Sequence, residues 1–300
     1  MLKKELIFLG VAWPFLIITG SVRMFSFNVL QLKSGKTVIN LALKRRLTVE
    51  TLITLITFAV LGVGWYLIAK SKLISDIFIP APAKVWQSFC EILTEGYKGN
   101  TLLKHLTDSM ARLGIAFLLA VITGIPLGLV CGYSSKLRAV FDPLVEFYRP
   151  LPPLAYYTIL IVWLGIEDLS KITLLFLATL APIYVAAMSG VKSIRADLIN
   201  GAYTLGANRR QVFWHVILPA CLPYIFTGLR TAMGAGYSTL VAAEMVAAVT
   251  GIGWMVLDAS RFLRTDIIYM GIIVMGITGI ILDKVLRFCE SKVVPWKGLD

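Results

Sequence analysis

Arg230 and Glu244 are the two charges set inside one long apolar run, Leu218–Ala247. An unpaired charge in hydrocarbon costs several kcal/mol, so each must face protein, water or the membrane interface. Fourteen residues separate them, about 21 Å along a helix, so they cannot pair with each other within that helix. Arg230 therefore has two readings: a cation beside a translocation path, where it attracts an anion, or half of an ion pair that anchors the run to a cytoplasmic loop. The second is the simpler. Glu244 makes a poor ligand for an anion and is expected to accept hydrogen bonds from helix ends or a gating loop. Tyr156, Tyr157 and Trp163 on a short apolar stretch, with Tyr237 and Ser238 on the long one, offer donors for a polar path of weak, multiple contacts. The ordinary alternative for each is packing or an interfacial belt.

Other chemistry is missing from the sequence. Its two histidines, His105 and His215, belong to no H-E-x-x-H motif, and no G-x-S-x-G occurs. Cys90, Cys131, Cys221 and Cys289 stand too far apart for a zinc knuckle or a disulfide framework. Gly35-Lys36-Thr37 looks like the end of a phosphate loop, but Leu30 stands where that loop needs glycine. No catalytic residue, metal site or cofactor is expected in this chain, and ATP hydrolysis is not expected of it.

The elements that must position these residues follow from composition. Of 300 residues, 58% are hydrophobic and 15% charged, with mean hydropathy +0.80, well above an ordinary soluble domain. The natural solvent is a bilayer, and disorder, a coiled coil and nucleic-acid binding drop out despite a net charge of +12. A crossing helix needs about 20 apolar residues. Six stretches offer this: about Thr51–Ala69, Leu113–Cys131, Leu151–Ile166, Ile172–Gly190, Leu218–Ala247 and Ile267–Val285. The third is short, and the fifth is long enough to be broken or tilted. A further run, Leu6–Val22, holds Pro14 and reads as a lateral interfacial helix or a seventh span rather than a signal peptide.

Lys and Arg set the orientation, because cytoplasmic loops carry their excess. With the segment before the first span inside, 19 basic residues fall on the inner side and 9 on the outer. Both ends of the six-span core are then cytoplasmic. Gly124, Gly128 and Gly132 repeat small-x3-small steps on one face of the second span, a pattern for close helix packing.

The loop at about 191–217 carries the most information. It reads as a helix, a turn at Gly206-Ala207-Asn208 and a second helix with Val212, Phe213 and Val216 on an apolar face beside Arg209 and Arg210. Such a pair suits docking on another protein; a solvated connector is the ordinary alternative. Asn200-Gly201-Ala202, three residues, Gly206, nine residues, then Val216-Ile217-Leu218-Pro219 resembles the E-A-A-x3-G-x9-I-x-L-P signature of permease subunits in binding-protein-dependent ABC importers. Asn replaces the acidic residue, Gly the first Ala and Val the Ile. Phe78–Phe89, Arg149–Lys171 and Gly228–Val256 are similar to the taurine, sulfonate, nitrate and bicarbonate branch, most of all its taurine permeases. Gly251-Ile252-Gly253 is similar to that family's extracellular Gly-x-Gly, a hinge, a gate or a simple turn.

The resemblance implies an all-α polytopic fold, the type I importer permease, with six core spans and the N-terminal apolar helix. Residues 1–50 would form a cytoplasmic or interfacial segment, 51–290 the permease domain and 291–300 a cytoplasmic tail. It further implies a non-catalytic permease of the bacterial inner membrane that moves taurine or another sulfonate by alternating access, with nitrate, bicarbonate or another small solute as alternatives. The implied partners are a second permease copy, two cytoplasmic ATPase subunits holding ATP and Mg²⁺, and an extracytoplasmic substrate-binding protein. Asn200, Gly201, Ala202, Gly206, Ala207, Arg209, Leu218 and Pro219 would contact the ATPase, Gly206 and Ala202 being small enough for close backbone approach. A membrane-embedded enzyme would need a polar catalytic cluster, and an ion-coupled secondary transporter would need repeated halves. The sequence has neither pattern.

Overall fold

The computed structural model describes residues 35–296. The expected N-terminal run Leu6–Val22 lies outside the described residues, as do the last four of the chain. The chain divides between Leu61 and Gly62 into two compact units, and the residues considered below belong to the second unless stated. Helix α1 (Gly35–Ser71) contributes one crossing length, Thr51–Ser71. In the first unit, all of residues 51–61 are exposed although mostly apolar, as a lipid-facing helix requires.

Ten more helices follow among the described residues. Helix α2 (Pro82–Thr94) begins with proline in its first turn, where a missing N–H is harmless. Helix α3 (Leu102–Tyr133) is capped by Thr101, whose side chain accepts from the Lys104 amide. After α4 (Ser135–Tyr148) come α5 (Pro153–Leu164), α6 (Asp168–Lys192) and α7 (Ala196–Thr204). Helix α8 (Arg209–Val212) runs through a π turn, Phe213–Ile217, into α9 (Leu218–Ala247). Helices α10 (Ile252–Arg261) and α11 (Thr265–Val293) complete the order. The β contact among the described residues is an isolated bridge between Tyr97 and Asn100.

Among the described residues, five helical stretches are long and apolar enough to cross a membrane, against six expected there. The third expected span, Leu151–Ile166, is corrected to the 12-residue helix α5, about 18 Å long and short of the hydrocarbon thickness. Its ends explain this. Pro152 and Pro153 delay its start, and Gly165, at φ +80°, stops it. Conversely, α3 begins 11 residues before the expected Leu113, and this places Arg112 within a helix rather than in a loop.

Helix α6 lies at the centre, between α3 and α9. On the α3 side a Cβ added to Gly128 would come 2.5 Å from the Tyr184 carbonyl oxygen, and one on Gly132 would come 2.6 Å from Val191. On the α9 side one on Gly228 would come 2.2 Å from Ala186 Cβ. Glycines therefore set how closely these helices approach, which is how helices associate where lipid is as apolar as leucine. Ile183, Ala187, Cys221, Ile225 and Leu229 fill the resulting core.

Candidate functional site

Two structures occupy opposite ends of the continuous α8–α9 helix. Its 39 residues, Arg209–Ala247, span about 58 Å at 1.5 Å per residue, nearly twice the hydrocarbon thickness.

At the Arg209 end, α7 closes with the Gly206 amide on the Tyr203 carbonyl at 2.9 Å and the Ala207 amide on the Ala202 carbonyl at 3.0 Å. This closure puts Gly206 at φ +83°, a conformation that favours glycine. No atom lies within 4 Å of a Cβ added there, so within this chain backbone angle, not crowding, demands the glycine. The next turn is fixed reciprocally: the Gln211 amide donates to Asn208 Oδ1 at 2.9 Å, and the Asn208 amide donates to Gln211 Oε1 at 2.8 Å. That capping box starts α8. Val212 and Ile217 are buried, with Ala202 and Ala207 packed beside them. Asn200, Gly201 and Arg209 are exposed, while Leu218 and Pro219 are half-buried at the start of α9. Leu205 at the tip is 89% exposed. A depression of about 420 Å³ lies beside it, lined by Leu205, Gly206, Val212, His215 and Val216 among others.

At the other end, Glu244 is fully enclosed. Its Oε1 accepts from Ser109 Oγ at 2.7 Å and Arg112 Nη1 at 2.8 Å, and its Oε2 accepts from the Gly253 amide at 2.9 Å. Arg112 also donates from Nε to Asp168 Oδ1 at 2.8 Å, from Nη1 to the Thr250 carbonyl at 2.9 Å and from Nη2 to Thr250 Oγ1 at 3.0 Å. One guanidinium thus ties α3 to α6, α9 and the segment before α10. The start of α10 is capped along three successive amides: Gly251 donates to His105 Nδ1 at 3.1 Å, Ile252 to Ser109 Oγ at 3.0 Å, and Gly253 to Glu244. These are donors that a helix start leaves without internal partners. Gly251 sits at φ +121°, and a Cβ there would come 2.3 Å from Glu244 Oε1. The expected Gly-x-Gly is therefore a turn pressed onto a buried carboxylate.

Around this hub, Tyr97 donates its hydroxyl to Asp258 Oδ2 at 2.8 Å. Burial, and then that carboxylate, push its pKa up to about 12. Ser88 donates to Asp266 Oδ2 at 2.7 Å, which joins α2 to α11.

The expected path residues do not gather in one place. Tyr157 is buried against Leu160, Leu174 and Ala243, and Glu244 belongs to the hub. Tyr156 is half-buried, Ser238 is exposed and Trp163 is 76% exposed. Arg230 Nε donates to Asp283 Oδ1 at 3.0 Å, an ion pair to helix α11 rather than to a loop. Half-buried Tyr237 lines the same cavity as that pair and donates to the Met275 carbonyl at 2.9 Å.

Arg112 is the residue that sequence reasoning missed. The signal was present as His105, Ser109 and Arg112, polar residues spaced i, i+4, i+7 along one helix face, and it was hidden because the span was read as starting at Leu113.

Residues 124–294 match the family described as binding-protein-dependent transport system inner membrane component. The chain is 44% identical to the taurine transport system permease protein TauC of Escherichia coli strain K12, over 81% of this chain and 88% of that one. It is 31% identical to a putative aliphatic sulfonates transport permease protein, SsuC, of Bacillus subtilis, over 80% and 86% of the two chains. It is also 31% identical to the nitrate import permease protein NrtB of a Synechocystis strain, over 80% and 88%. The fold resembles that of the MetNI methionine ABC transporter in an inward-facing conformation, with TM-score 0.53 and 17% identity over 65% of this chain and 94% of that one.

Proposed function

The chain belongs to the inner membrane components of binding-protein-dependent transport systems, and from that premise we propose that it is the permease of an ATP-driven importer for taurine or a closely related sulfonate. The observation that carries the cargo class is the 44% identity to a taurine permease along 81% of the chain, against 31% for a nitrate permease. The permease works as a homodimer with its path along the two-fold axis. Two ATPase subunits dock on the loop at 191–217, and a substrate-binding protein delivers cargo to the opposite face. The excess of Lys and Arg supports a cytoplasmic loop and a cytoplasmic C-terminus.

Asn200, Gly201, Ala202, Gly206, Ala207, Arg209, Leu218 and Pro219 form the coupling surface and its root, with Leu205 as its apolar tip. ATP and Mg²⁺ bind in the partner. When the ATPases close, force on the loop enters α8–α9, a single helix that ends in the Glu244 hub, and the two access states exchange. Tyr156, Tyr157, Trp163, Arg230, Tyr237, Ser238 and Glu244 divide accordingly. Tyr156, Trp163, Arg230, Tyr237 and Ser238 belong to path-facing or half-open surfaces, while Tyr157 and Glu244 hold those surfaces in place.

Reconstitution of the permease with its ATPase and binding protein in liposomes tests the reading. ATP-dependent uptake of radiolabelled taurine, competed by other sulfonates, is expected. Uptake of nitrate with no effect of taurine would replace the cargo assignment.

A further inference from the structure

The Arg230–Asp283 pair does more than an anchor needs, because it opens onto a cavity. Between α9 and α11 lies a half-open space of about 130 Å³, lined by Arg230, Met233, Gly234, Tyr237, Gly279 and Asp283 among others. That is the liquid volume of about four waters, room for a solute of a few heavy atoms. The glycines keep it open. A Cβ on Gly234 would meet nothing within 4 Å, and one on Gly279 would lie 3.5 Å from the Tyr237 ring.

The charges lining it are balanced in pairs. Arg230 Nε donates to Asp283 Oδ1, and Arg230 Nη1 lies 3.9 Å from Glu290 Oε2. Asp283 Oδ2 in turn accepts from Arg287 Nε at 2.6 Å. The Arg230 and Asp283 side chains keep 27% and 44% exposure. A guanidinium has five N–H donors and a carboxylate about four lone-pair sites, so each retains capacity for a ligand.

Resting on the sulfonate reading above, we propose that this cavity is a relay site for a zwitterionic aminosulfonate, which places its sulfonate on Arg230 and its ammonium on Asp283. Entry of such a solute exchanges one internal ion pair for two external ones and leaves the charge of the cavity unchanged. A simple anion takes Arg230 from Asp283 without bringing an ammonium in its place, so that carboxylate exchanges one of its two charged contacts, Arg230 and Arg287, for none. The cavity therefore prefers an aminosulfonate to an alkanesulfonate or nitrate, independently of the binding protein. Partial exposure of the pair keeps the contact weak enough for release.

The test is equilibrium binding of radiolabelled taurine to the purified permease–ATPase complex in phosphatidylglycerol nanodiscs, without binding protein. Saturable retention is expected, displaced by excess unlabelled taurine but not by equal ethanesulfonate or nitrate. Asp283→Asn should weaken it about tenfold, the loss of one charge-assisted contact. Gly234→Leu, which fills the cavity and leaves the ion pair intact, should abolish it, and this variant decides the matter if Asp283→Asn fails to assemble. No saturable retention, equal displacement by ethanesulfonate, or unchanged retention in Gly234→Leu would overturn the site. So would loss of retention on adding phosphatidylethanolamine, which would assign the cavity to a lipid headgroup of the same zwitterionic chemistry. Uptake by the complete wild-type system separates the two ideas: taurine uptake without retention refutes this site alone, and absence of any sulfonate uptake refutes the cargo reading beneath it.

Discussion

Glu244, in the last turn of α9, and Leu205, which closes α7 just before α8 begins, flank the two ends of one continuous helix, and their surroundings differ as much as two sites in one small protein can. Glu244 has no exposed surface and takes hydrogen bonds from α3 and from the start of α10. Leu205 is 89% exposed at the end of a nine-residue helix with no buried residue. The hub is held by contacts distant in sequence; the loop is held by its own turn. One end of the helix is fixed to its surroundings by the chain itself, and the other begins beside an exposed turn, the surface we propose for docking. A rod clamped at one end and loaded at the other is a workable way to turn closure of a partner into rearrangement across a membrane.

This contrast is most open to challenge at the hub. Glu244→Ala removes the buried one of the two carboxylates that Arg112 contacts, Asp168 being the exposed one, and breaking a buried pair costs about 3–5 kcal/mol. We expect a large fall in the thermal midpoint of the purified complex, and the Arg112→Ala/Glu244→Ala double variant should recover part of it because no lone charge remains. A midpoint unchanged by Glu244→Ala would show that the hub does not hold the fold. Gly251→Ala comes next. Its positive φ alone is worth about 1–3 kcal/mol, and the new methyl is directed at Glu244. Its destabilisation should exceed that of Gly206→Ala, where the backbone penalty of about 1–2 kcal/mol meets open space. Equal losses at the two glycines, measured by thermal unfolding in one detergent, would remove the distinction between a pressed turn and a free one.

Much of this arrangement was legible in sequence, and the misses share a cause. The turn at 206–208 and the glycine face of α3 follow from local rules of backbone angle and side-chain size, so spacing alone reveals them. Glu244 could be recognised as a hydrogen-bond acceptor because a lone carboxylate in an apolar run has few other uses. Its partner could not, since Arg112 lies 132 residues away and nothing local couples the two. The third stretch reads as short in the sequence, and Pro152, Pro153 and Gly165 shorten it further, to the 12 residues of α5. The π turn at Phe213–Ile217 has no marker in residue type.

The smallest expected change in stability is the most informative about function. Leu205→Asp places a charge on a side chain already in solvent, so the unfolding midpoint should move by no more than about 0.5 kcal/mol would produce. If the loop is the surface on which the ATPase bears, the same substitution puts an uncompensated charge into an apolar contact. ATPase co-purification should fall about tenfold, and taurine uptake should fall with it. The hub variants predict the reverse order, with stability lost first and coupling lost only through it. A Leu205→Asp permease that unfolds like Glu244→Ala, or that keeps full coupling at unchanged stability, would mean that the exposed tip is an ordinary connector and that the ATPase engages the chain elsewhere.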